Sequence, residues 1–210
     1  MPEIGTDILP SVKRILSKAA KLDRVEEVRR GVEEGGEEFV GWGGESIVIL
    51  KKGCPEKVIA ISYGEDRESP TEAKSDYYLH RVFSTLFPHN FPKFYASFGG
   101  EYAGTIRQKV EKAGKKRIFQ KRLPTKYPFT KVERTCEELG IPLYFQVLPK
   151  NFIVGADGGE YYVDRLIGPK RYDWNITKIV GYMDSTGGFA EKDKRVVIRS
   201  IERLKGLSLR

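Results

Sequence analysis

A run of glycines between two β-rich stretches is the first place in this sequence where residue types and spacing could do chemistry. It reads Gly41-Trp42-Gly43-Gly44-Glu45-Ser46. Glycines permit a tight turn whose backbone N–H groups can approach a phosphate without obstruction by Cβ atoms. Because a strand rather than a helix follows, the run matches neither a Rossmann dinucleotide turn nor a P-loop. It predicts either a phosphate-binding hairpin or an ordinary Gly-rich hairpin.

The elements around this run read as an antiparallel sheet followed by a more helical half. Alternating and β-branched residues predict a β-meander over 38–63 and strands at 94–98 and 104–110. Pro70 in a Ser-Pro-Thr-Glu run predicts the start of a helix that stops by Pro88. The remaining predicted elements are helices over 7–30 (ended by Gly31), 128–139 (ended by Gly140), 172–183 and 191–205, and a hairpin around Asp157-Gly158-Gly159.

Two later runs bear on the Gly-rich hairpin. The first is Leu148-Pro149-Lys150-Asn151. The second is Tyr162-Val163-Asp164-Arg165-Leu166, in which Asp164 lies thirteen residues past Asn151. With the element order, these runs resemble the protein kinases. The Gly-rich run is similar to the kinase loop G-x-G-x-x-G-x-V, with Ser46 in the third-glycine place and Val48 in the Val place. The two later runs resemble the end of the kinase catalytic loop and the Asp-Phe-Gly strand end.

The resemblance implies an α+β, two-lobed, protein-kinase-like fold. Residues 37–110 would form the N-lobe, an antiparallel β-sheet with one main helix. Residues 111–210 would form a reduced, mainly helical C-lobe, since only 46 residues follow Asp164 and no Ala-Pro-Glu motif appears. Residues 1–36 would be an N-terminal amphipathic helix extension.

The resemblance also implies a ligand, ATP with Mg²⁺, held between the two lobes. Asn151 and Asp164 would bind the metal, because Mg²⁺ prefers oxygen ligands and is held in such sites against nucleotide phosphates. The residues implied at the nucleotide are Gly41, Gly43, Ser46, Val48 and Ala60.

Two departures bear on catalysis. Ser62 follows Ala60-Ile61 where the family has its strand-three Lys, so its helix-borne partner, Glu72 or Asp76, has no Lys to pair with. Gln146 stands where the family has its base Asp, and a Gln can orient a hydroxyl but cannot accept its proton at neutral pH. Two versions therefore stay open: an atypical phosphotransferase acting on a small molecule or partner, and a pseudokinase that binds without turnover.

Composition excludes several other classes. With 40% hydrophobic and 31% charged residues, the chain is neither disordered nor fibrous. It has no membrane-spanning apolar run and no signal-peptide pattern at its start. Two cysteines and two histidines cannot form a disulfide framework and leave few options for a zinc site or a His-based triad. We expect a cytoplasmic protein with no membrane partner.

The distribution of charge supports an alternative from a different class. The net charge is +8, and the segment from Lys112 to Arg134, with nine Lys or Arg and one acid, accounts for all of it. Aromatic residues interleave these cations, as in segments that track a phosphate backbone. The alternative is therefore a nucleic-acid-binding protein acting through residues 112–134; a solvated basic loop is the other interpretation of the same segment.

Overall fold

The protein is described here from a computed structural model, which covers residues 25–42, 46–63, 69–99, 102–111, 129–142, 151–166 and 172–208. The helices in these ranges are α1 Val25–Glu34, α2 Pro70–Leu86, α3 Thr130–Leu139, α4 Ile176–Thr186 and α5 Glu191–Ser208. The strands are β1 Phe39–Trp42, β2 Ser46–Leu50, β3 Lys57–Ser62, β4 Phe94–Phe98, β5 Gly104–Gln108, β6 Phe152–Val154 and β7 Glu160–Tyr162.

The chain divides into two compact units. The first is drawn from Met1–Lys74 and Phe94–Lys109, and the second from Ser75–Lys93 and Val110–Arg210. The predicted boundary between N-lobe and C-lobe at residue 110 and the two-lobed kinase-like arrangement both stay predictions. None of the described helices is long and apolar enough to cross a membrane.

The first unit is built on an antiparallel five-stranded sheet in the order β1-β2-β3-β5-β4. This confirms the predicted meander and the α+β class with an antiparallel sheet. One face of the sheet is apolar because Ile47 and Ile49 of β2 alternate with less buried neighbours. Val28 and Val32 of α1 belong to the same buried cluster. The opposite face carries Val48 and the two residues that pair with it across the strands, Gly41 and Ala60.

The predicted end of the first helix is wrong. Residues 7–24 lie outside the described ranges, but α1 continues through Gly31 to Glu34. The turn that follows places Gly36 at a φ of 81°, in the left-handed region that suits glycine. Val32, which is fully buried, explains the difference, because its packing one turn after Val28 outweighs the weak helix propensity of Gly31.

The second unit has a separate core, to which α2 contributes Leu79, Val82, Phe83 and Leu86. The boundary between the units falls between Lys74 and Ser75, so most of the helix predicted for the N-lobe groups with the second unit. Helix α3 ends as predicted at Gly140, which has a φ of 70° and donates its N–H to the carbonyl of Glu137.

Candidate functional site

The β6–β7 hairpin brings together the two residues predicted to bind a metal. Phe152 pairs with Tyr162, and the N–H of Val163 donates to the carbonyl of Asn151 at 2.9 Å. Asn151 therefore stands opposite Val163 at the open end of the hairpin, and Asp164 is the next residue along. Asn151 is buried and Asp164 is partly exposed.

Residues 163–166, here called the strand-end segment, are held by hydrogen bonds at each residue. Beyond the bond from Val163, the Asp164 carbonyl lies 3.2 Å from Nε2 of His80. The Arg165 N–H donates to Oδ1 of Asp164 at 2.9 Å, and its carbonyl accepts from the Tyr162 hydroxyl at 3.1 Å. The Leu166 N–H donates to Oδ1 of Asp76 at 2.9 Å. The segment is thus bonded both to the hairpin and to helix α2.

Helix α2 supplies two of these contacts. Asp76 and His80 are four residues apart and so share one face of the helix, and both are buried. Nε2 of His80 lies 3.4 Å from Oδ1 of Asp76. Both residues point polar atoms at the strand-end segment, from 84 and 90 residues away in sequence.

The Asp164 carboxylate is partly exposed, and its Oδ1 accepts a hydrogen bond from the Arg165 N–H at 2.9 Å. A carboxylate and an amide are the kinds of hard oxygen ligand that Mg²⁺ prefers. No cluster of three His, Cys, Asp or Glu side chains suited to a metal occurs among the described residues. Mg²⁺ does not require one, because it is often held by one or two protein groups together with phosphates and water. The residues present therefore fit this cation.

An aromatic cluster packs against the same hairpin. Phe129 is fully buried, and its ring centroid lies 5.0 Å from that of Phe152 and 6.5 Å from that of Tyr162. Phe91 lies 5.6 Å from Phe129 and 6.1 Å from Tyr162. These tilted and edge-to-face rings pack beneath the hairpin at whose open end Asn151 and Asp164 lie.

Four of the five residues predicted at the nucleotide lie on neighbouring strands of the first unit. Gly41 pairs with Val48 across β1 and β2, and Val48 pairs with Ala60 across β2 and β3. Ser46 pairs with Ser62 two residues nearer the Gly-rich turn. Gly43 lies outside the described residues. The strands therefore place four of the five predicted nucleotide residues in neighbouring register positions of three strands.

The strands also show where the nearby lysines stand. Ser62, in the place of the family's Lys, is buried at the end of β3. Lys57 begins that strand, five residues and about 17 Å away along an extended chain. Its ammonium lies 3.3 Å from Oε1 of Glu56 and 4.8 Å from the ring centroid of Tyr95. Lys51 and Lys52 follow β2 at the same far end, so none of these three lysines stands beside Ser62.

Helix α2 assigns different roles to the two acids considered for the family's helix Glu. The Ser69 N–H donates to Oε2 of Glu72 at 2.7 Å, and the Glu72 N–H donates to Oγ of Ser69 at 3.2 Å. This reciprocal pair is a capping box, which uses Glu72 at the helix start. Asp76 instead bonds the strand-end segment. His80, which belongs to none of the sequence motifs, joins it. Its spacing of four residues from Asp76 is the one signal in the sequence that relates the two.

Two further predictions fall mostly outside the described residues. Gln146 is not described, nor are residues 112–128 of the basic segment. In the remainder of that segment, Lys131 is exposed, and the Arg134 guanidinium donates to Oε1 of Glu138 at 3.1 Å. Nucleic-acid binding through residues 112–134 therefore stays a prediction.

Comparisons with known proteins add little to this geometry. No protein-family model matches the chain, and no curated protein matches it. Among solved structures, it is similar to a co-crystal structure of WbdD and the kinase inhibitor LY294002, at 11% identity and a TM-score of 0.33. The similarity covers 79% of this chain and 45% of that one. A likeness at this level carries no argument about the site.

Proposed function

We propose that this chain is a kinase-like protein that binds ATP together with Mg²⁺. One observation carries the proposal: the β6–β7 hairpin places Asn151 and the partly exposed Asp164 at its open end, although the two are thirteen residues apart in sequence. A carboxylate and an amide oxygen supplied by the two ends of one hairpin are ligands that Mg²⁺ accepts together with phosphates and water.

Each described residue has a defined task in this proposal. Asp164 and Asn151 contribute oxygen ligands, and Mg²⁺ when bound supplies positive charge that neutralises nucleotide phosphates. The backbone N–H groups of Gly41 and Ser46, which begin and end the Gly-rich run, would donate to phosphate oxygens. Val48 and Ala60 provide an apolar surface for the adenine ring.

Binding with weak or absent phosphate transfer is the version that the residues favour. Ser62 carries no charge with which to position a phosphate, and the lysines at 51, 52 and 57 stand at the other end of their strands. Gln146, in the place of the family's base, cannot accept a proton at neutral pH. Because loss of positioning charge or of a base raises the barrier to transfer, we place this protein with the pseudokinases ahead of the atypical phosphotransferases.

Thermal unfolding with ATP, in the presence and absence of Mg²⁺, tests the proposal. Ligand at a hundredfold its dissociation constant adds about 2.7 kcal/mol to the free energy of unfolding. For a chain of this size we expect the melting temperature to rise by about 5–10 °C. The part of the rise that requires Mg²⁺ disappears in Asp164→Asn, which keeps the size of the side chain and removes its charge.

Asp173→Asn is the matched control, because Asp173 is an exposed carboxylate of the same unit. It should retain the full Mg²⁺-dependent rise. No rise in the wild-type chain at millimolar nucleotide, or an equal rise in Asp164→Asn, would overturn the proposal. If ATP–Mg²⁺ stabilises the chain, release of radiolabelled phosphate or its transfer to a partner then separates the phosphotransferase from the pseudokinase.

A further inference from the structure

Asp76 and His80 contact the backbone on both sides of Arg165. His80 reaches the Asp164 carbonyl at 3.2 Å and Asp76 accepts from the Leu166 N–H at 2.9 Å. A rotation of the backbone between these two points would break both contacts at once. The pair on α2 therefore determines where the strand-end segment lies, and with it the direction in which the Asp164 side chain leaves the backbone.

The chemistry of the contact defines the proton on His80. A backbone carbonyl can only accept a hydrogen bond, so Nε2 of His80 must carry the hydrogen that it donates to Asp164. Oδ1 of Asp76, 3.4 Å from the same nitrogen, accepts too and favours a hydrogen at that position. The acid on α2 thus orients the histidine, and both residues hold the segment.

We propose that Asp76 and His80 are positioning residues that hold the Asp164 carboxylate for a divalent cation bound together with a nucleotide. This inference rests on the proposed function, since it concerns the same carboxylate. In many protein metal sites, residues that do not touch the metal form hydrogen bonds to the residues that do. Asp76 and His80 would stand in this relation to Asp164. Loss of such a group typically weakens metal affinity about 10–100-fold.

A second hydrogen bond from α2 provides the control that separates positioning of Asp164 from a general stabilisation of the helix. Ser75, next to Asp76, has its Oγ 2.6 Å from the hydroxyl of Tyr172. This bond joins α2 to residues after the strand-end segment and touches none of residues 163–166. Ser75→Ala therefore removes a partly buried hydrogen bond from α2 without altering the two contacts at Arg165.

The test measures Mn²⁺ binding in the presence of ATP through the water-proton relaxation rate, which protein-bound Mn²⁺ raises above that of Mn²⁺–ATP alone; the same solution without protein is the reference, because free ATP itself binds Mn²⁺. In His80→Leu, which lacks a donor, we expect the dissociation constant for Mn²⁺ to rise about 10–100-fold. Binding of metal-free ATP should stay unchanged. His80→Gln, whose amide N–H can donate from near the Nε2 position, should restore affinity to within a few-fold of wild type, and Ser75→Ala should match wild type.

If His80→Leu does not fold, a measurement on the wild-type chain tests the same inference. The ring nitrogens of His80, observed by ¹⁵N resonance, should show a hydrogen at Nε2 and should shift when ATP–Mg²⁺ is added but not when ATP is added alone. An unprotonated Nε2, or no metal-dependent shift in a chain that binds ATP–Mg²⁺, overturns the inference.

The outcomes also separate this inference from the proposed function. If wild type binds no Mn²⁺ with ATP, or Asp164→Asn binds it as well as wild type does, the proposed function fails and this inference fails with it. If Asp164→Asn loses the metal while His80→Leu keeps it, only the positioning role fails. A loss in Ser75→Ala equal to that in His80→Leu also overturns the positioning role, because a general weakening of α2 would then explain both.

Discussion

The two ends of the β6–β7 hairpin each carry an aspartate, and the two carboxylates are used in opposite ways. At the closed end, Asp157 accepts from the Gly159 N–H at 3.0 Å and from the Tyr161 hydroxyl at 2.6 Å, so both oxygens are bonded. At the open end, Asp164 uses one oxygen for the Arg165 N–H. Both oxygens of Asp157 are therefore used to close its turn, whereas the structure describes a hydrogen bond to one oxygen of Asp164.

The two ends also differ in what holds them. The partners of Asp157 lie within four residues of it, so the turn is a local structure. The strand-end segment depends on His80 and Asp76, far away in sequence, and on rings packed beneath the hairpin. Changes to the helical core should therefore affect the open end first, and changes within the turn should leave the candidate site intact.

The largest expected effect comes from removing a ring beneath the open end. Phe129→Ala deletes a fully buried side chain in contact with Phe152 and Tyr162 and leaves a cavity. We expect the free energy of unfolding in urea to fall by about 3–5 kcal/mol. Phe129→Leu should recover much of the loss, because it fills most of the space. A loss below about 1 kcal/mol in the Ala variant would contradict the assigned packing.

A smaller loss is expected from Asp76→Ala. This variant leaves the N–H of Leu166 without its buried acceptor, which costs about 1–3 kcal/mol of unfolding free energy. Asp76→Asn keeps an oxygen at the same place and should lose less. Urea unfolding of the two variants in parallel checks the prediction. Equal losses would indicate that the charge, rather than the acceptor, stabilises the segment.

Local elements of this protein could be predicted from its sequence, because their causes are local. Gly140 ends α3 and Asp157-Gly158-Gly159 closes the hairpin through backbone conformations that few other residues adopt. The end of α1 was predicted wrongly, because burial of Val32 in the sheet core is a tertiary effect that overrides Gly31.

The candidate site was predictable only in part for the same reason. The positions of Asn151 and Asp164 followed from motif spacing within a single hairpin, and the register of β6 and β7 brings them together. The roles of Asp76 and His80 depend on contacts across 84 to 90 residues, which no spacing within α2 reveals. Glu72, three residues after Ser69, had the sequence signal of a helix cap and is used as one.

At the closed end, Asp157→Ala should lower the melting temperature by less than Asp76→Ala does, because Asp157 is exposed. The Tyr161 hydroxyl, followed by the Gly159 N–H, lowers the pKa of Asp157. A lowered folded-state pKa means that the stabilisation is present above the pKa of the unfolded chain, about 3.9, and is lost as pH falls through the folded value. The difference in melting temperature between Asp157→Ala and wild type should therefore be smaller at pH 3 than at pH 7. A difference that does not depend on pH would contradict this role.

The smallest effect concerns Tyr161, whose ionisation lies far from neutral pH. Burial, and then the hydrogen bond to Asp157, raises the pKa of Tyr161 to about 12. The stabilisation from its neutral form is complete below the usual tyrosine pKa of about 10 and is lost as pH rises through the folded value. The difference in absorbance at about 295 nm between wild type and Tyr161→Phe isolates this one phenol from the other tyrosines. In Asp157→Ala, the midpoint of this titration should move to lower pH, because the hydrogen bond from the Tyr161 hydroxyl to the carboxylate is lost. In Asp164→Asn, the midpoint should stay unchanged, because the two aspartates lie at opposite ends of the hairpin. A shift in Asp164→Asn equal to that in Asp157→Ala would mean that the two ends are not independent.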